Sequence, residues 1–107
     1  MTTLKNKVAI VTGSSKGIGA QIALSLAESG AKTVINYAND DVAANDIVSQ
    51  IKSAGGEAIA VQADVSNTKQ VEAMFDATIS AFGKPDILVN SAGIMINKPI
   101  AETTDED

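Results

Sequence analysis

The chain has 107 residues, no cysteine or histidine, only lysine among its eight basic residues, and a formal net charge of −5. This length fits one domain with a core. The missing residue types exclude a disulfide framework and a thiolate metal site, and remove the commonest metal ligand and general base, so no metal site is expected.

The charge argues against a nucleic-acid partner, although its distribution matters more than its size. Glu102, Asp105, Glu106 and Asp107 are four of the thirteen acids, and without them eight lysines face nine acids. The body of the domain is thus nearly neutral. No apolar run approaches the roughly 20 residues of a membrane span, so a cytoplasmic protein without a membrane partner is expected. Apolar residues make up 45% of the chain and aromatic ones 3%. Its core must therefore come from Val, Ile, Leu and Ala, a composition suited to helices stacked on a β-branched sheet.

Taken in order, residues 7–11 form a β-branched run that predicts a first strand buried on both faces, as in a parallel sheet. The glycine-rich turn Gly13-Ser14-Ser15-Lys16-Gly17-Ile18-Gly19 follows at once. A first helix is predicted over residues 16–29, with Ile18, Ile22 and Leu26 as an apolar stripe beside Ala23 and Ala27, and Gly30 as its C-terminal cap. Residues 33–37 predict the second strand. Asn39 or Asp40 caps a second helix with the stripe Ala44, Ile47, Val48 and Ile51, ended by Gly55-Gly56. The third strand is predicted over residues 58–62. Ser66 or Asn67 then caps a third helix in which Val71, Met74, Phe75, Thr78, Ile79 and Phe82 keep helical spacing. Gly83-Lys84-Pro85 breaks it, and residues 86–90 predict a fourth strand. Alternating strands and helices imply βαβ units and a parallel sheet. Thr103 or Thr104 before Asp105-Glu106-Asp107 is a helix start signal without a helix after it, so residues 1–107 are expected to be a single partial domain.

The glycine-rich turn carries the chemistry. Glycine admits φ > 0 and close approach of another group, and the first turn of a helix offers unpaired N–H groups with a partial positive charge. Such a turn suits a phosphate. Its spacing is Gly-x-x-x-Gly-x-Gly, and no Gly-Lys-Ser/Thr follows to make it a nucleoside triphosphate loop. Alone, it reads equally well as punctuation between a strand and a helix.

The run Thr12-Gly13-Ser14-Ser15-Lys16-Gly17-Ile18-Gly19 resembles the Thr-Gly-x-x-x-Gly-x-Gly cofactor signature of the short-chain dehydrogenase/reductase family. Two further stretches agree with it in order and spacing. Asp64-Val65 resembles the family's Asp-Val pair, which implies a carboxylate accepting from the adenine amino group and a neighbour flanking the ring. Asn90-Ser91-Ala92-Gly93 is similar to Asn-Asn-Ala-Gly, with Ser91 in place of the second asparagine. The resemblance implies that Asn90 ties the central strands through its amide, and that Ala92 and Gly93 let the backbone approach the ribose. The likeness is greatest to 3-oxoacyl-acyl-carrier-protein reductases and glucose dehydrogenases.

The implied fold is a truncated Rossmann α/β domain, a doubly wound parallel sheet of four strands in the order 3-2-1-4 with three helices. At the end of the second strand stand Asn36, Tyr37 and Ala38, where NAD-preferring dinucleotide folds place an acid. With no carboxylate there, and with Lys16 where many NADP-using relatives carry a base, the resemblance implies NADP(H) over NAD(H). Asp40 or Asp41 turned toward the ribose would favour NAD instead.

In this family a catalytic Ser, a Tyr-x-x-x-Lys pair and a further Asn lie beyond the point at which this sequence stops. Tyr37 has no lysine at that spacing, so no catalytic residue is expected here and the chain alone is expected to be inactive. Two functions follow. One is the NADP(H)-binding portion of an oxidoreductase acting on a small carbonyl or alcohol substrate, homo-oligomeric at full length. The alternative is a non-catalytic dinucleotide-binding or interaction module. Either way the fourth strand is an unpaired edge, with Leu88 and Val89 expected to be partly exposed.

Overall fold

A computed structural model describes residues 3–91. The elements run β1 (Val8–Thr12), α1 (Gly17–Glu28), β2 (Lys32–Tyr37), α2 (Asp41–Ser53), β3 (Ala58–Gln62), α3 (Thr68–Ala81) and β4 (Ile87–Asn90). All strand pairs are parallel, in the order β3-β2-β1-β4. The four strands and three helices therefore stand as expected, with boundaries shifted by a residue or two.

Strand residues alternate between two cores because successive side chains point to opposite faces. Val11 and Ile35 pack with Ala20, Ala23, Ala44, Ile47, Val48 and Ile51 of α1 and α2, whereas Ile10 and Val34 pack with Ala63 and with Met74 of α3. Helices thus cover both faces, and β1, flanked by strands on both sides, is buried along its whole length. Of the alternative caps, Asp40 and Asn67 serve: their side chains accept from the N–H groups of Ala43 and Gln70.

The first helix departs from expectation. Ile18 is 75% exposed, and the residues of α1 that are buried are Gly19, Ala20 and Ala23. The sheet-facing stripe is made of small residues because the start of α1 lies against the turn after β1. A Cβ on Gly19 would overlap the carbonyl oxygen of Gly13 and the hydroxyl of Ser91. Ile22 and Leu26 flank the core half-buried.

On the other face, Leu88 pairs in register with Ile10 yet is 53% exposed, while Val89 is half-buried. Both sides of the partly exposed edge were thus legible, Leu88 being the more open.

Candidate functional site

The carboxyl ends of the four strands lie along one edge of the sheet, and the sequence-predicted residues gather there. β1 runs into Gly13, β2 into Tyr37 and Ala38, β3 into Asp64 and Val65, and β4 into Asn90 and Ser91. In open parallel sheets this edge binds ligands, next to the strand from which the chain winds outward in both directions. Here that strand is β1.

The turn after β1 is held from below by β2. The Ser14 side chain is buried, donates from Oγ to the Val11 carbonyl at 2.6 Å and accepts from the Asn36 N–H at 3.0 Å. The Ser14 N–H donates to the Asn36 carbonyl at 2.9 Å. Asn36, 2% exposed, accepts from the Gly13 N–H through Oδ1 at 2.9 Å and donates from Nδ2 toward the carbonyls of Val61 and Ala63 at 3.3 and 3.2 Å. One amide side chain therefore ties together the turn, β2 and the end of β3. Its polar atoms are committed to the scaffold, so Asn36 shapes the site from beneath.

From the other side, β4 braces the same turn. Thr12 Oγ1 donates to Asn90 Oδ1 at 3.0 Å and accepts from the Ser91 N–H at 3.1 Å, while the Ser91 hydroxyl donates to the Thr12 carbonyl. The amide oxygen of Asn90 thus joins the edge strand β4 to β1.

Above this base the turn is open. Gly13 and Gly17 adopt φ of 60° and 65°, and nothing lies within 4 Å of where a Cβ of Gly17 would project. Lys16 stands at the N-cap of α1 and supplies no side-chain cap, and no acid lies in the first turn. α2 and α3, by contrast, have side-chain caps in Asp40 and Asn67. The start of α1 thus keeps N–H groups and positive potential directed at the turn. Ser15 is half-buried, and Lys16, Gly17 and Ile18 are exposed along the rim. A phosphate group fits this arrangement, because the space over Gly17 is clear and the N–H groups at the start of α1 have no side-chain cap.

Two carboxylates border the site. Asp64 is exposed, and its Oδ1 accepts from the hydroxyl and N–H of Ser66 at 2.6 and 2.9 Å. The Ser66 hydroxyl and then its N–H hold that carboxyl below the ordinary carboxylate value. Val65 beside it is 38% exposed. Asp40 accepts from the Ala43 N–H through Oδ1 at 2.9 Å, and its Oδ2 lies 3.5 Å from Lys16 Nζ. The Ala43 N–H first, and Lys16 after it, lower its pKa against some opposing desolvation. Among the described residues no cluster of acids, histidines or cysteines could hold a metal. Tyr37 is half-buried against the α1 and α2 core. Ala92 and Gly93, like the stretches 94–100 and 103–107, lie outside the described residues.

Sequence reasoning found the rim of this site but missed two features of it. The Asn36 knot depends on three strands meeting in one register, and the Lys16–Asp40 pair joins residues in separate loops. Neither leaves a local pattern. A concavity of about 650 Å³ between Lys5, Leu24, Gly30, Ile51 and Glu57 lies at the opposite edge, beside the C-terminal ends of α1 and α2. That edge presents helix carbonyls and lacks the glycine-rich turn, so it is not the phosphate site.

A parallel sheet wound outward from β1, with helices on both faces and a glycine-rich turn at its carboxyl edge, defines a Rossmann-type α/β domain. The family model of short chain dehydrogenases matches residues 7–107, and the chain belongs to that family. It is 49% identical over 106 residues to an uncharacterized oxidoreductase of Methylorubrum extorquens, covering 99% of this chain and 43% of the relative. It is 50% identical over 94 residues to a 3-oxoacyl-[acyl-carrier-protein] reductase of Synechocystis, covering 88% of this chain and 38% of that one. A crystal structure of a dehydrogenase/reductase from Sinorhizobium meliloti superposes with a TM-score of 0.84 at 44% identity, over 94% of this chain and 40% of the other. The chain therefore spans about two fifths of the length of these relatives.

Proposed function

We propose that residues 1–107 form the NADP(H)-binding portion of an oxidoreductase that transfers hydride between a nicotinamide and a carbonyl or alcohol carbon. The observation that carries this reading is the turn at Gly13 to Gly19, open above Gly17 and backed by the one helix start among the described residues that has no side-chain cap. In this reading the N–H groups at the start of α1 take the pyrophosphate, and Ser14 and Asn36 hold the turn that leads to those donors in place. Asp64 and Val65 border the adenine, with Asp64 Oδ2 left to accept from the exocyclic amine. Ala92 and Gly93 let the backbone come close to the cofactor's ribose, and Asn90 ties β4 to β1 through its amide. Tyr37, Ala38 and Lys16 border the adenosine ribose with Asn36 beneath them, where no carboxylate stands at the end of β2 and Lys16 favours a 2′-phosphate. When bound, the nicotinamide supplies hydride chemistry; the residues named here bind and orient it.

No catalytic acid is assigned within these residues, Tyr37 being packed against the α1 and α2 core at the adenosine end. A small-molecule carbonyl or alcohol substrate, a homo-oligomeric full-length form and a cytoplasmic setting belong to the same proposal. The relatives reported above are oxidoreductases, which favours it over a non-catalytic module.

Titration of the chain with NADPH and NADH, followed by nicotinamide fluorescence or calorimetry, tests this reading. NADPH is expected to bind more tightly, and Lys16→Ala to weaken NADPH by about five- to tenfold, as for loss of one charge-assisted contact, with NADH changed less than twofold. Absence of binding by either dinucleotide overturns the assignment, and equal losses for both remove the 2′-phosphate role of Lys16.

A further inference from the structure

The Lys16–Asp40 contact is the one ion pair within 4.0 Å among the described residues, and it lies on the rim of the candidate site. Its two halves are unequally held. Asp40 is the N-cap of α2, fixed through Oδ1 by the Ala43 N–H at 2.9 Å, so that Oδ2 is presented in a set direction at the loop after β2. Lys16 is a long side chain, 74% exposed, whose ammonium meets Asp40 Oδ2 at 3.5 Å. The carboxylate is a fixed anion and the ammonium is the mobile partner. Any other anion reaching the adenosine end of the site must share Lys16 with Asp40 or draw it away.

We propose that Asp40 is a specificity-determining residue, which competes with a 2′-phosphate for Lys16 and so limits the preference of the site for phosphorylated over unphosphorylated adenosine ribose. This rests on the reading that the adenosine end of a dinucleotide lies beside Lys16. The pair is solvated, so the effect is a severalfold shift in affinity and no more: exposed pairs of this kind change an equilibrium by about two- to fivefold. Asp40 acts as a positioning residue for the lysine. It sets how far Lys16 is available without itself contacting the phosphate.

Asparagine at position 40 separates the two duties of this side chain. Its amide oxygen caps a helix about as well as a carboxylate, so Asp40→Asn keeps the Ala43 bond and removes the charge. Asp40→Ser is a second neutral cap, used if the first variant loses helical circular dichroism. Asp41→Asn, one residue along on the exposed start of α2, controls for the general loss of a negative charge.

The probes are adenosine 2′,5′-bisphosphate and 5′-AMP, titrated calorimetrically into the full chain at low ionic strength. The readout is the ratio of their affinities. Asp40→Asn is expected to raise the ratio in favour of the bisphosphate by about three- to fivefold, with Asp41→Asn changing it less than twofold. In a Lys16→Ala background the same Asp40→Asn change is expected to raise the ratio less than twofold, because the lysine through which it acts is gone. An unchanged ratio in Asp40→Asn overturns the proposal, as does an equal rise with and without Lys16, which would mean direct repulsion of the phosphate. Failure of the wild-type chain to bind either nucleotide overturns the dinucleotide reading and this inference with it. Binding of both with an unresponsive ratio overturns this inference alone.

Discussion

Ser14 and Asn36 hold each other through two reciprocal bonds, the Ser14 N–H to the Asn36 carbonyl at 2.9 Å and the Asn36 N–H to Ser14 Oγ at 3.0 Å. The turn after β1 therefore continues the β1–β2 ladder one step beyond the last strand pair, Val11 with Ile35. Through this link a flexible glycine-rich segment acquires a fixed base. Its upper surface stays open while its lower surface is as well bonded as a strand.

Asn36→Ala is expected to be among the most damaging single changes in the domain. It strips the Gly13 N–H and the carbonyls of Val61 and Ala63 of their buried partner. One or two of these groups left unsatisfied cost about 2–4 kcal/mol together. Urea denaturation followed by circular dichroism measures this as a lower midpoint. A loss below 1 kcal/mol would show that water replaces the amide without penalty.

Gly17→Ala and Gly19→Ala probe two different glycine roles. At Gly19, within α1, alanine gains about 1 kcal/mol of helix propensity. It also overlaps the backbone carbonyl of Gly13, which cannot swing aside as a flexible side chain would. Overpacking of this kind costs about 1–3 kcal/mol, so the net change is destabilising and displaces the turn. At Gly17 the space is clear but φ is 65°. Alanine there costs about 1–2 kcal/mol through conformation alone. Asparagine, which tolerates the left-handed region, should cost less than alanine at position 17. Thermal denaturation of the three variants checks the order, and equal losses for Gly17→Ala and Gly17→Asn would refute a conformational cause.

Ser66 sets the protonation of Asp64. Because its hydroxyl and N–H lower the folded-state pKa, the interaction stabilises the fold above the ordinary carboxylate value of 3.8 and is lost as the pH falls through the lowered one. Ser66→Ala should move the Asp64 pKa upward, toward its ordinary value, while leaving the backbone bond in place. Carboxyl carbon NMR titration reads this directly. An unmoved Asp64 would show that the backbone N–H alone sets its pKa.

Asn67→Ala removes the side-chain cap of α3, whose Oδ1 accepts from Gln70. The expected loss is about 1 kcal/mol, since α3 starts at an exposed loop. Asn67→Asp should restore stability, as a carboxylate also caps and favours a helix start. A variant with aspartate no more stable than the alanine one would mean that the cap is not the source of the loss.

Much of the scaffold was legible in the sequence because short-range physics sets it. β-branched runs, capping residues and terminal glycines mark every element, and Asp40 and Asn67 serve among the caps expected. The site rim was legible too, since glycines and strand ends fall at fixed spacing. The misreading of Ile18 has a physical cause. Hydrophobic periodicity favours large apolar residues, whereas the start of α1 approaches the turn so closely that only Gly19 and small neighbours fit. The Asn36 knot and the Lys16–Asp40 pair were not legible because each needs the β1–β2–β3 register before its partners come together.

The placement of β1 also orders events in time. Its pairing with β2 joins segments linked by a single helix, whereas the Thr12–Asn90 bond closes a separation of 78 residues. Lengthening a closed loop adds only about 0.6 kcal/mol per doubling. The greater consequence is for rate, since distant strand pairings form late. On a ribosome, β1, α1, β2 and α2 can bury Val11 and Ile35 against Ala23 and Ile47 while β4 has yet to be synthesised. Until then the far side of the central strand is a bare row of amides and carbonyls. For this chain the vulnerable interval lies within its own synthesis, and it closes only when Leu88 arrives beside Ile10.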